Sequence, residues 1–509
     1  MKRATLLLVL IIAALVATGA WANGSKESGA QGGASMDASK LQPYNLVWYM
    51  RGRGPEKDEG IVEDALNKYL KPKINATIKI INFDRGAYPD RMTAIIASGE
   101  SFDMGFCASW VINYAQFAQK GAFVWLNDPA DNLQEKYLKG TVAALGDFYY
   151  GGSAIDGKHY AIPVNKEWAH SNGWVLRKDI MDKDNLGPLA KPQMNLADME
   201  PIFQAVHDKE PDMYPVMAYS QNSPLTNYID WDFPAGTRVP VVDFQTGPDK
   251  KIYDMWARPE TVAYFNLIRS WYQKGFIRKD SASTEDYTPD LSSGKLFSEI
   301  VVSHPGALGE NEQAFGFPFY LVNNTVPTIS NGETQGAMNF ISVTSKDKDR
   351  AAMFMELENT DPFVNNTVAF GVEGVHWVKT STGQITFPQG VTAQTSGYVP
   401  AINWAFGNQF LNYLWTDEPA NKWDLYRAYN KSAVPANTLA FIPDYEPIKT
   451  EIAALNNVWA EFEPGLETGS VDPAVYLPQA EAKAKAAGID KVITEMQNQY
   501  DAWRAKNGK

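Results

Sequence analysis

The sequence predicts an α/β protein with parallel-type sheets flanked by helices, organised as more than one core-forming unit. Three observations predict it. From residue 45 to residue 107, short β-rich runs alternate with stretches whose apolar residues recur at helical spacing. Strand–helix–strand–helix–strand at that pace requires crossover connections and parallel strands. The roughly 470 residues left after an apolar leader and a polar tether suit two or three hydrophobic cores better than one.

The elements follow in order. "NLVWYM" (45–50) is a buried strand. "EKDEGIVEDALNKYL" then places Ile61, Val62, Ala65, Leu66, Tyr69 and Leu70 on a helical face. "ATIKIINF" (76–83) is β-rich, "YPDRMTAIIASG" (88–99) is a helix closed by Gly99, and "FDMGFC" (102–107) is a third strand. In such sheets ligands sit beyond the carboxyl ends of the strands. Trp48 to Arg53, Asp84 with Arg85, and Ser109 with Trp110 all fall there. From about 170 to 335 the chain is broken often by Pro and Gly, around a strand-like "GWVLRKDI" (173–180) and a helix over 260–276. Residues 337–361 read as a strand, an N-cap at Ser345 and a helix. The end is helical, with Val492, Met496, Tyr500 and Trp503 on one stripe.

Residues 1–22 read as a signal peptide: a basic start, an apolar core, and a small-x-small site at Ala20-Trp21-Ala22, with cleavage after Ala22. Residues 23–40 are a flexible tether by composition. The expected location is periplasmic or secreted. The one cysteine is Cys107, so no cysteine stands at the leader junction for lipid attachment, and no internal disulfide or thiolate metal cluster is possible. Cys107 ends an apolar strand with no nearby His in sequence, which reads as a buried, inert thiol. Net charge is −13. That argues against nucleic acid and against a strongly anion-binding face.

Six stretches, in order, resemble one family: "NKYLKPKINATIKI", "MTAIIASGESFDMGFCASW", "QKGAFVWLND", "IDGKHYAIPVNKE", "FGNQFLNY" and "LETGSVDPAVYLPQAEAKAKAAGIDKV". The chain resembles the extracellular solute-binding proteins of bacterial ABC importers. It is most similar to the maltose-binding type, in the branch that ends in a C-terminal domain of unknown function. The resemblance implies a two-lobe periplasmic-binding-protein fold that closes on a solute and delivers it to ABC permease membrane subunits. On that reading residues 41–166 begin lobe I, 167–338 form lobe II, 339–425 return to lobe I, and 426–509 are a helical segment packed mainly on lobe II.

A sugar cleft needs flat aromatic faces for the C–H side of the ring, and amides or carboxylates for the hydroxyls. Candidate ligand contacts follow from that chemistry. Trp48, Asp84, Ser109 and Trp110 sit at strand ends. Glu167, Trp168 and Asn172 lie in the expected first passage between lobes. Trp231 and Asp232 belong to a carboxylate–Trp alternation. Glu373 and Trp377 follow a Gly-rich turn, and Trp404 and Asn408 lie in "NWAFGNQF". Each of these could instead be ordinary core or turn. His376 stands alone and reads as structural.

No catalytic residue, cofactor or metal is assigned. The chain has no G-x-S-x-G, H-E-x-x-H or Walker lysine motif. The acids at 182–184 lack the EF-hand's glycine and terminal glutamate. The expectation is a monomer that binds a carbohydrate, an oligosaccharide above all, without chemistry. An exported glycan-degrading enzyme and a peptide or polyamine binder on the same fold remain alternatives.

Overall fold

Residues 44–52 extend because Leu46, Trp48 and Met50 fall on one face and are fully buried, while Val47 and Arg51 on the other face are only partly covered. This strand, β1 (Tyr44–Gly52), pairs in parallel with β2 (Ala76–Asp84) and β3 (Met104–Cys107). Between them run α1 (Glu59–Ile74), which buries Val62, Leu66, Leu70 and Ile74, and α2 (Tyr88–Ser98). The computed structural model describes residues 38–508 apart from 221–222, 237 and 285–286. The expected signal peptide and most of the tether lie outside the described residues. No described helix is long and apolar enough to cross a membrane.

Two more strands complete this sheet: Met338–Ile341, antiparallel to β3, and β4 (Ile162–Pro163) beside it. The carboxyl ends of β1, β2 and β3 share one edge, and the strand Met338–Ile341 starts from that same edge. At the opposite edge the buried Asp103 carboxylate accepts hydrogen bonds from the Tyr44 hydroxyl at 2.8 Å, the Val47 amide at 2.8 Å and the Ser345 hydroxyl at 2.5 Å. Ser345, expected as a helix cap, serves Asp103 instead. Asp347 caps the helix Lys348–Thr360, accepting from the Arg350 amide at 2.9 Å.

The second sheet has β5 (Ser171–Arg177) at its centre, with Ser298–Ser303 and Phe319–Asn323 on its sides, both antiparallel to it. The parallel-type sheet expected for this lobe is therefore corrected. The central strand alone runs away from the other lobe, while both flanking strands run back toward it. The helix Ala307–Phe315 carries the chain from one returning strand to the other.

Two separate hydrophobic cores result. One gathers residues from β1–β4, Met338–Ile341 and the helix Lys348–Thr360; the other gathers β5, the helix Pro259–Lys274 and the three C-terminal helices Lys449–Glu467, Pro473–Ala486 and Ile489–Asn507. Val492, Met496 and Tyr500 of the C-terminal stripe are fully buried there. Core membership changes three times: between Val164 and Trp174, between Val322 and Ile329, and between Leu439 and Phe441. The second passage comes earlier than the expected boundary at 338, since Thr334 already donates its hydroxyl to Gly152 O of lobe I at 3.0 Å.

The three passages are bound to each other. His170 and Thr328 exchange backbone hydrogen bonds at 3.0 and 2.8 Å. Thr328–Ile329 pairs in parallel with Val434–Pro435. The buried Asn430 side chain closes the set: its oxygen accepts from the Trp168 amide at 2.9 Å, and its nitrogen donates to Lys166 O at 2.9 Å.

Replacing Asp103 tests the first lobe's edge. Asp103→Ala leaves two hydroxyls and an amide without their acceptor, so a loss of about 2–4 kcal/mol in unfolding free energy is expected. Denaturant titration of the variant against the parent measures it. A change below about 0.5 kcal/mol would contradict the assigned role.

Candidate ligand cleft between the lobes

Between the two cores lies a cleft of about 310 Å³, lined by Trp110, Lys166, Glu167, Trp168, Ala169, His170, Val302, His304, Gly332, Glu333, Gly336, Ala337 and Trp404. Lobe I gives Trp110 and Trp404. The first passage gives residues 166–170. The returning strand Ser298–Ser303 of lobe II gives Val302, followed by His304.

Trp110 answers to the turn that carries it. Beyond β3 the chain bends at Ala108–Ser109, and the Ser109 amide donates to Gln335 O at 2.8 Å. The Trp110 indole N–H donates to Gly336 O at 2.8 Å, which fixes the ring while the residue stays 53% exposed. Trp404 stacks against it, with centroids 6.2 Å apart and planes at 29°, and meets Phe106 edge-on at 5.6 Å. Gly407, at φ 62, turns this loop back. A Cβ there would meet Asn365 Nδ2 and Glu358 O, each at 2.7 Å, so only glycine fits. Trp168 stacks on Tyr149 at 5.4 Å with planes at 15°.

The polar groups of the cleft occur in pairs. Glu167 pairs with Lys166 beside it. Glu333 lies 2.8 Å from His170 Nδ1, and His304 lies 3.4 Å from Glu310. Burial alone would push the His170 imidazolium down; the nearby Glu333 charge outweighs it and holds His170 above the ordinary histidine range. Burial alone would likewise raise Glu333, but the His170 charge holds it below the usual glutamate range. A glycosidase acid requires the opposite, a carboxyl kept protonated near neutrality. Among the described residues no group of three or more His, Cys, Asp or Glu side chains converges on a metal position.

Of the residues anticipated from sequence, Trp110, Glu167, Trp168 and Trp404 thus meet in one cleft. The others lie elsewhere. Trp48 is a correction: it is fully buried, edge-on to Phe354 and Phe406 at 5.6 and 5.7 Å, because its side of β1 faces the lobe I core. Trp231 packs inside lobe II against Phe244 at 4.4 Å. Trp377 is buried and donates to Gly371 O at 3.1 Å, and Glu373 beside it faces solvent away from the cleft lining. Asp84 is exposed and accepts from the Gly86 and Ala87 amides, shaping the turn after β2. Ser109 is held by its backbone. Asn172 is spent on the passages, with its amide on Thr325 Oγ1 at 2.8 Å and its side chain on Thr226 O at 3.0 Å. Asp232 accepts from Thr438, near the third passage. Asn408 is buried and accepts from the Phe410 amide at 3.1 Å. Cys107 is buried, and burial pushes its thiol well above the usual range.

Sequence reasoning missed His170, Val302, His304 and Glu333. Three of them sit in runs that read as strand or loop, and no local pattern marks where a returning strand meets the other lobe. Lys166 and Arg51 stood next to named residues without being named as contacts. The Arg51 guanidinium carbon lies 4.8 Å from the Trp110 ring centre and 6.0 Å from that of Trp404.

Comparison with known proteins fits this geometry. Residues 437–505 match the model of a domain of unknown function, DUF3502. Over 97% of its length the chain is 26% identical to a protein named "Carbohydrate ABC transporter substrate-binding protein" from Streptococcus pneumoniae serotype 4, covering 96% of that protein. The crystal structure of the N-glycan transport solute binding protein NgtS from Streptococcus pneumoniae superposes with a TM-score of 0.81 at 26% identity, over 92% of this chain and 100% of that one. Over nearly its whole length the chain is similar to solute-binding proteins of ABC importers. The same relative in complex with Man5GlcNAc superposes on this chain with a TM-score of 0.70, over 92% of this chain and 100% of that one, again at 26% identity. These relatives are transport proteins.

The His170–Glu333 pair gives a pH prediction. A raised histidine adds stability that is complete below its unfolded pKa and fades as pH rises through the folded one. A lowered glutamate adds stability present above its unfolded pKa and lost as pH falls. The pair therefore contributes most between about pH 4.5 and 6.5. Glu333→Gln is expected to lower the melting temperature most in that window and progressively less toward pH 9. A difference that grows with pH would contradict the pairing.

Proposed function

We propose that this protein captures an oligosaccharide between its lobes by closure and delivers it, unchanged, to the membrane subunits of an ABC permease. The observation that carries the reading is the exposed face of Trp110, backed by Trp404 and placed in the same cleft as Trp168. Half of a tryptophan held open to water serves little in folding, yet it is a ready surface for the C–H face of a pyranose. Covering about 100 Å² of it contributes about 2.5 kcal/mol. The Lys166–Glu167 and His170–Glu333 pairs then offer hydrogen-bonding groups for hydroxyls.

Relatives support the reading. NgtS is named for N-glycan transport and has been crystallised in complex with Man1GlcNAc and Man5GlcNAc. This chain superposes better on the NgtS structure described without a ligand, at 0.81, than on those two complexes, at 0.73 and 0.70. Glu167, Trp168, Trp110 and Trp404 form the proposed contact set, with cleft closure excluding water. Export by a cleaved leader, residence outside the cytoplasm and action as a monomer complete the proposal.

Incubation with Man5GlcNAc tests it. A raised melting temperature, with the glycan recovered intact by mass spectrometry, is expected. Trp110→Ala is expected to weaken binding by about 10–100-fold, the equivalent of about 1.4–2.8 kcal/mol. Appearance of shorter glycans would favour the degrading-enzyme alternative, and binding left unchanged in Trp110→Ala would remove the aromatic platform from the account.

A further inference from the structure

The cleft's carboxylates are matched, Glu167 by Lys166 and Glu333 by His170, and its His304 is matched by Glu310. The arginine beside its Trp110–Trp404 wall is not. Arg51 points from the carboxyl end of β1 to the Trp110–Trp404 stack, and its Nε is buried without a hydrogen-bond acceptor. Arg53 follows at the same strand end, joined to Asp84 by an isolated backbone bridge, and Arg85 follows the end of β2. Among the described residues, none of these three arginines has a carboxylate within 4.0 Å. Asp84, adjacent to Arg85 in sequence, directs one oxygen to the Gly86 and Ala87 amides. The positive end of α2 begins three residues past Arg85.

This arrangement is costly in isolation. The chain carries a net charge of −13, with 59 acidic residues available as partners. Yet three arginines gather at two neighbouring strand ends without one within reach. Burial, and then the charge of Arg85, both disfavour the protonated Arg51 side chain. Its contact with the Trp110 ring offsets part of that cost, because a guanidinium over an indole face is attractive. It does not satisfy the guanidinium's N–H groups, which suit a planar anion best.

We propose that the oligosaccharide taken by this cleft is acidic, and that Arg51, with Arg85 and Arg53 behind it, receives a carboxylate or phosphate group on a sugar stacked against Trp110. The inference rests on the reading that the cleft binds an oligosaccharide and narrows the class of that ligand. It revises the expectation, drawn from total charge, against an anion-binding face. Total charge is dominated by the outer surface, whereas the sheet's carboxyl edge has a local excess of bases.

Titration calorimetry of the full mature chain with two matched pairs of glycans tests this. One pair is sialyl-N-acetyllactosamine against N-acetyllactosamine, for carboxylate. The other is phosphomannosyl-capped Man5GlcNAc against Man5GlcNAc, for phosphate. In at least one pair the acidic member is expected to bind tenfold or more tightly than its neutral partner at low salt. That margin should shrink in 0.5 M NaCl, as expected for charges partly open to solvent. Which pair shows it names the anion. Arg51→Gln should abolish the margin and Arg51→Lys should keep only part of it, while exposed Arg85→Gln, which leaves the aromatic platform untouched, should reduce it. If both acidic glycans bind equally to or more weakly than their neutral partners, this inference is overturned while the oligosaccharide reading stands. If no glycan of either kind binds, both fall.

Discussion

Two hydrophobic cores that share no buried side chain, joined by three mutually hydrogen-bonded passages, are the constraint on which everything else in this protein depends. Each core is organised by its own sheet and its own helices. The link between them is thin: backbone bonds between His170 and Thr328, a two-residue parallel pairing of Thr328–Ile329 with Val434–Pro435, and the clasp made by Asn430. A link of that kind transmits rotation while exposing little apolar surface, so relative lobe motion is inexpensive. A single merged core would resist the same motion through close packing.

The same constraint explains the cleft's contents. Where β1, β2 and β3 end, lobe I must present side chains to a gap rather than to a partner sheet. Trp110 is therefore anchored through its indole N–H and left about half exposed. Returning strands of lobe II bring Val302 and His304 to the opposite wall. Charged groups that would be unstable alone in such a gap are paired across short distances, as in His170–Glu333. Arg51 is the exception, held by aromatic rings in place of a carboxylate.

Much of lobe I was legible from sequence because its signals are local. The alternation of Leu46, Trp48 and Met50 marks a strand, and the spacing of Val62, Leu66 and Leu70 marks a helix. The carboxyl-end rule then places Trp110 at a ligand edge. The identity of Trp48 as core was not legible, since a strand end exposes one face and buries the other, and composition does not say which. Lobe II was less readable. The reversed direction of β5 depends on how strands meet after long Pro- and Gly-rich connections, which no window of sequence records. The second passage was placed too late because the polar run Asn331–Gly336 looks like one more loop of lobe II. His170, Glu333 and His304 gain meaning only once three distant segments converge.

The central claim is that ligand closes two independent lobes on a hinge. Small-angle X-ray scattering of the mature protein, with and without saturating oligosaccharide, tests it most directly. The account predicts a smaller radius of gyration in the bound state and a scattering curve matching a rotated pair of otherwise unchanged lobes. Tight binding with an unaltered scattering curve would contradict it.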